Sequence, residues 1–228
     1  MKLELLDDYN VRARLSASIL LLAPIAVTFF FLFEEVRSFA TSSIILFVLL
    51  TLTNYVPILQ RTFGKHGTPR TNYAALLLYA DDKTISTELK KRYYARLSKL
   101  DPSFACFEKP EDSPEFKSAC ESAVAYLRSR TRDNHLVQEE NINYGLCRNL
   151  ISSKAAGIII SAICMVFTAI YSLLKYDSFL VVPVQNYLAF TTDTLLLLFW
   201  IAFATKKALE HSGLAYAKAL ISAIDTLT

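Results

Sequence analysis

Residues 155–174 read AAGIIISAICMVFTAIYSLL, a run with no charge and no histidine. At about 1.5 Å per residue a helix of this length spans roughly 30 Å, the thickness of a bilayer's hydrocarbon core. Three further blocks without Lys, Arg or His lie at Leu15 to Phe33, Ala40 to Leu59 and Asn186 to Thr205. Four such blocks in 228 residues would leave a soluble protein too little polar surface. A hydrophobic content of 53%, a charged content of 20% and a mean hydropathy of +0.32 agree. The sequence therefore predicts an all-α membrane protein, with two transmembrane helical hairpins flanking a mainly helical cytoplasmic insert. The first block does not read as a cleaved signal peptide, because its apolar run is too long and no small-residue cleavage site follows at Glu34 to Arg37.

Five segments follow from these blocks. They are an N-terminal segment 1–14, a first hairpin 15–59 with helices 15–33 and 40–59, a sensing and coupling insert 60–154, a second hairpin 155–205 with helices 155–174 and 186–205, and a C-terminal amphipathic helix 206–228. Of 24 Lys and Arg residues, only Arg37 and Lys175 fall in the hairpin loops 34–39 and 175–185. The positive-inside rule thus places both termini and the insert in the cytoplasm. Cys106, Cys120, Cys147 and Cys164 have irregular spacing, which fits that reducing side and suits neither a disulfide framework nor a zinc site.

One carboxylate interrupts the fourth block, Asp193 in TTDTLLLLFW (191–200). Counted from the outer ends of their blocks, Asp193 and Thr168 fall at one depth, about 10 Å below the surface. The third block carries Gly157, Ser161, Cys164, Thr168 and Ser172 within about 80° of helical arc, a small and weakly polar stripe. No membrane block offers a cation to Asp193, and a bare carboxylate at mid-helix costs at least about 2.5 kcal/mol. Two readings stand. The stripe is the packing seam of the third and fourth helices, with a protonated Asp193 donating to Thr168. Alternatively Asp193, Thr168, Ser161, Cys164 and Asn186 line an ion path, as an acidic ring on an oligomer axis or as a site within one subunit. Pro24 in the first block adds a possible kink.

In the insert, STELKKRYYARLSKL (86–100) reads as a helix capped by Ser86 and stopped before Asp101-Pro102, with Leu89, Tyr93, Leu97 and Leu100 on one face. A second helix starts at Ser113 with Pro114 in its first turn, and Phe116, Cys120, Ala123, Leu127 and Thr131 follow at helical spacing. A third runs from Asn134 towards the membrane, with a break expected near Gly145 or Ser152-Ser153. The segment FGKHGTPRTNY (63–73) is a loop by its Gly and Pro content. No HExxH, GxSxG, P-loop, paired-cysteine or Rossmann motif is present, so no enzymatic activity, cofactor or metal is expected. Between residues 60 and 154 the chain holds 16 Lys and Arg against 12 Asp and Glu. This charge suits either anionic lipid head groups or a phosphate-bearing ligand held by Arg92, Arg96, Arg128, Arg130, Arg132 and Arg148. Such a ligand would be a small nucleotide or a short oligonucleotide, since no standard nucleic-acid module is marked.

The stretch LRSRTRDNHLVQEENINYGLCRNL (127–150), with HGTPRT upstream and KKRYYARL between them, resembles uncharacterised bacterial four-helix membrane proteins. Their shared core reads TRD, EN, YG and RNL, matched here by Thr131, Arg132, Asp133, Glu140, Asn141, Tyr144, Gly145, Arg148, Asn149 and Leu150. After Gly145 this chain has GLCRNLISSK where the group carries an aromatic and a second basic residue. The group is similar to membrane effectors of anti-phage defence loci, including nucleotidyltransferase-paired systems of the Hailong kind. That resemblance implies a multi-pass inner-membrane protein whose cytoplasmic domain senses a ligand made by a partner nucleotidyltransferase and gates a membrane lesion or channel. Glu140, Asn141, Tyr144, Gly145 and Asn149 are the candidate coupling residues, stacked at helical steps just ahead of the third block.

Two functions of different classes are thus expected. One is a ligand-gated homo-oligomeric pore, with a tetramer as its expected size. The other is a membrane-anchored adaptor whose insert and tail recruit a cytoplasmic partner, without conduction. The tail KKALEHSGLAYAKALISAIDTLT, with Leu209, Tyr216, Leu220, Ile224 and Leu227 on one broad side, packs on the insert or on a neighbouring subunit.

Overall fold

A computed structural model describes residues 9–38 and 71–227. The second membrane helix expected at 40–59, and His66 with most of its loop, lie outside the described residues. Among the described residues every regular element is helical. The chain divides into two compact units, Met1–Thr68 with Gly145–Leu209, and Pro69–Tyr144 with Glu210–Thr228.

The first unit is built on α1 (Ser16–Leu32), the larger part of α5 (His135–Lys175) and α6 (Val184–Ala202). A short π-type helix, Asn10–Leu15, leads into α1, and Pro24 sits inside α1 without ending it. The helix directions follow from paired contacts. Asn149 meets Ala13, and further along α5 Tyr171 meets the Phe33 ring, so α1 and α5 run parallel. Asn186 meets Ser172, and Lys154 reaches the carbonyl of Ile201, so α6 runs antiparallel to both. Lys154 there places a cation on a carbonyl in the last turn of α6, where the helix dipole favours it.

The packing has the polarity expected of a lipid solvent. On α5, Gly157, Ser161, Cys164 and Thr168 are buried, whereas Ile159, Ile163, Val166, Ile170 and Leu173 are each at least 50% exposed. Leu195, Leu198 and Ile201 of α6 are likewise exposed. A contiguous apolar exterior on this scale needs a nonaqueous partner. Two helical stretches, Arg12–Leu32 and His135–Lys175, are long and apolar enough to cross a membrane. A third qualifies when α6 and the helix after it are taken together across a bend. The expected fourth helix thus begins two residues early and ends at Ala202 rather than Thr205, whose Oγ1 accepts from the amide of Ala208 and starts the next helix.

The expected break in α5 is absent: the helix runs unbroken over 41 residues, about 60 Å. Gly145 is buried against Tyr9, where an added Cβ would lie 2.6 Å from the phenol oxygen. Its small size serves close packing rather than helix termination. Ser152 Oγ donates to the carbonyl of Asn149 at 2.9 Å, so its hydroxyl is absorbed within the helix.

The second unit comprises α2 (Tyr73–Leu78), α3 (Thr87–Leu100), α4 (Pro114–Arg130), the start of α5, and most of α7 (Lys206–Ser222). The caps follow from sequence. Ser86 accepts from the amide of Leu89, Ser113 from that of Phe116 and Asn134 from that of Val137. Asp101 ends α3 and accepts from the amide and hydroxyl of Ser103, which holds its carboxyl below the usual range. Tyr93 and Leu97 from α3, Phe116, Cys120, Ala123 and Leu127 from α4, and Tyr216, Leu220 and Ile224 from the tail share one core. The tail therefore packs on its own insert.

Candidate functional site

Asp193 is fully buried between α1, α5 and α6. Its Oδ2 accepts a hydrogen bond of 2.8 Å from the hydroxyl of Thr28, itself 1% exposed. Cys164 lies within hydrogen-bonding reach of the same Thr28. No cation among the described residues pairs with Asp193. Its Oδ1 has no hydrogen-bond partner among the described residues, and neither do Ser161 Oγ and Thr168 Oγ1. Each unsatisfied buried group costs about 1–3 kcal/mol, more for a charged one.

These groups form an ordered file along the seam. Gly157 sits against the ring of Trp200, with an added Cβ only 2.3 Å from it, so glycine alone lets α5 and α6 approach there. Ser161 comes next, then Cys164 level with Asp193 and Thr28, then Thr168. At the far end Asn186 Nδ2 donates to Ser172 Oγ at 2.8 Å, and that hydroxyl donates to the carbonyl of Thr168, also at 2.8 Å. Asp193, Thr168, Ser161, Cys164 and Asn186 are thus gathered in one seam inside a single chain.

One expectation is corrected. The hydroxyl that holds Asp193 comes from α1, not from Thr168 on α5. Thr28 lies about 8 Å from the far end of its block, a depth that matches Asp193 and that the run AVTFFFLF (26–33) carried in sequence. Because α1 is apolar all round, its periodicity could not show which side Thr28 would face.

The phosphate candidates are engaged in separate ways. Arg92 and Arg96 come together on Asp225 of the tail: Arg92 pairs with Oδ2, Arg96 Nε lies 3.3 Å from Oδ1, and Arg96 Nη1 donates to the Asp225 carbonyl at 2.7 Å. Arg128 lies over the Tyr216 ring and reaches Asn72 Oδ1 at 3.5 Å, and Arg130 lies over Tyr126. Arg132 is exposed in the turn after α4, and Arg148 belongs to the membrane unit.

Of the coupling candidates, Glu140 and Asn141 are half-buried in the second unit. Tyr144 stacks on Tyr216 with centroids 6.0 Å apart and meets Tyr73 edge-on at 6.3 Å. Gly213 lies beneath this cluster, where a Cβ would approach the Tyr73 ring to 2.5 Å. Burial, reinforced by Tyr144 and Glu210, pushes the Tyr73 hydroxyl above its ordinary range. In the membrane unit Asn149 Nδ2 donates at 2.8 Å to the carbonyl of Ala13, within the π-type lead of α1. No family model matches the chain, and no curated protein or solved structure is significantly similar to it.

Proposed function

We propose that this chain is a gated, ion-conducting membrane effector whose path follows the seam past Asp193 and whose cytoplasmic unit controls it. The observation that carries the reading is a carboxylate at full burial with one oxygen held by Thr28 and the other without a partner among the described residues, beside two hydroxyls in the same state. A packing seam gains nothing from three such groups, whereas a path needs polar atoms that are free to meet what passes. Continuity of α5 supports control from the cytoplasmic side, because the Tyr144 cluster and the buried stripe lie on one uninterrupted helix.

The charge distribution supports a topology with both termini and the insert inside. The TRD/EN/YG/RNL core extends the proposal to an anti-phage effector of a bacterial inner membrane, gated by a nucleotide from a partner nucleotidyltransferase and working as a homo-oligomer. Arg128, Arg130 and Arg132 of the second unit are the residues we assign to phosphate. Arg92 and Arg96 join them only if Asp225 releases them. The adaptor reading is favoured by one observation, the Thr28 to Asp193 bond, which a purely structural bundle would also use.

A potential-sensitive dye in phage-challenged cells separates the two. Cells carrying the wild-type chain depolarise on challenge, and cells carrying Asp193→Asn at equal membrane abundance do not. Equal depolarisation by both, or none by either, would remove the pore reading.

A further inference from the structure

We infer that the species passed along this seam is the proton, with Asp193 Oδ1 as the carrying atom. The inference rests on the conducting reading above and names its substrate. Stripping a hard metal cation of water takes about six oxygen ligands. Asp193 Oδ1, Ser161 Oγ and Thr168 Oγ1 are the three unsatisfied side-chain oxygens on the seam among the described residues. Three oxygens are too few to replace a cation's hydration shell, but a proton needs only one acceptor at a time and a next one within reach.

Placement agrees with number. Ser161 and Thr168 are seven residues apart on α5, about 10 Å, and the Asp193 level falls between them. Two or three bridging waters would fill that interval, each bonded to at least one of these oxygens, and polar sites of this kind hold buried water. Thr28 donates to Oδ2, which leaves Oδ1 to take the proton.

The step balances. A protonated water on the Ser161 side gives its excess proton to Oδ1, breaking its own O–H bond and forming one at the carboxyl, and the neutral carboxyl then gives that proton to a water on the Thr168 side, which leaves as hydronium and restores the carboxylate. No electron moves and no group is consumed. Among the described residues Cys164 is the titratable side chain facing Asp193, and α1 contributes Thr28 with no charge.

Vesicles containing the purified full-length chain test this with a pH-sensitive dye inside and, in parallel, with potassium and sodium gradients. Proton flux above that of empty vesicles, without matching potassium or sodium flux, is the expected result, and Asp193→Asn returns it to the empty-vesicle level. Potassium or sodium flux without proton preference would leave conduction standing and overturn the proton assignment. No flux of any ion would overturn both. A second measurement does not depend on the gate. At a pH that protonates Asp193, the infrared carboxyl band lost in Asp193→Asn should shift when the wild-type chain is moved into heavy water. A band that does not shift marks a sealed, dry seam and overturns the assignment.

Discussion

Thr28 and Asp193 meet through a single hydrogen bond, and the consequences of that bond are measurable. Thr28→Val keeps the volume but removes the donor, so it should destabilise the membrane unit by about 1–3 kcal/mol, the cost of leaving a buried acceptor bare. Thr28→Ser keeps the hydroxyl and should retain most of the wild-type melting temperature in detergent; equal losses in the two variants would mean that the methyl group matters rather than the bond. Cysteines provide a second residue-scale check. Burial pushes the Cys120 thiol up to about 12, while Cys106 is exposed. A maleimide should label Cys106 readily at mildly alkaline pH and leave Cys120 unmodified until the unit unfolds. Since the unfolded thiol ionises near 9 and the folded one near 12, the Cys120 contribution to stability is intact below 9 and declines as pH rises between them.

At the scale of elements, α5 carries the most specific expectation. An unbroken helix means that the amides of Gly145, Ser152 and Ser153 exchange as slowly as their neighbours, and hydrogen exchange by mass spectrometry would reveal a fast window there if a break existed. What sequence disclosed about each element depended on how local its determinants were. Ser86, Ser113 and Asn134 announce their helices because a cap acts within three residues. The stripe from Gly157 to Thr168 was legible for the same reason, as helical spacing alone puts those residues on one side. Gly145 looks like a break in sequence because its role is set by Tyr9, more than a hundred residues away. The Arg92 and Arg96 clamp on Asp225 is likewise invisible in sequence, since an arginine row looks the same whether it awaits phosphate or already holds a carboxylate.

For the molecule as a whole, the tail is part of a core and not a free arm. Tyr216, Ala217, Leu220, Ile221 and Ile224 are at most 9% exposed and pack with α3 and α4 residues. A chain ending at residue 209 should therefore lose the fold of the second unit, seen as rapid proteolysis of residues 71–144 in membranes. Resistance equal to that of the full chain would show the tail to be dispensable. Removing Asp225 alone should be mild, about 1 kcal/mol or less, because both arginines of the clamp are partly exposed.

Conduction along the seam around Asp193 is the proposal on which the others depend, and planar-bilayer recording reads it. Purified wild-type chain and Asp193→Asn, matched for oligomer size, would be recorded with and without extract from phage-infected cells. Conduction past Asp193 gives a current in the wild type that is enhanced by the extract and lost in the variant. Silence from a demonstrably intact wild-type assembly in every condition, or currents indifferent to the substitution, would contradict it and leave Asp193 as a packing residue of a membrane anchor.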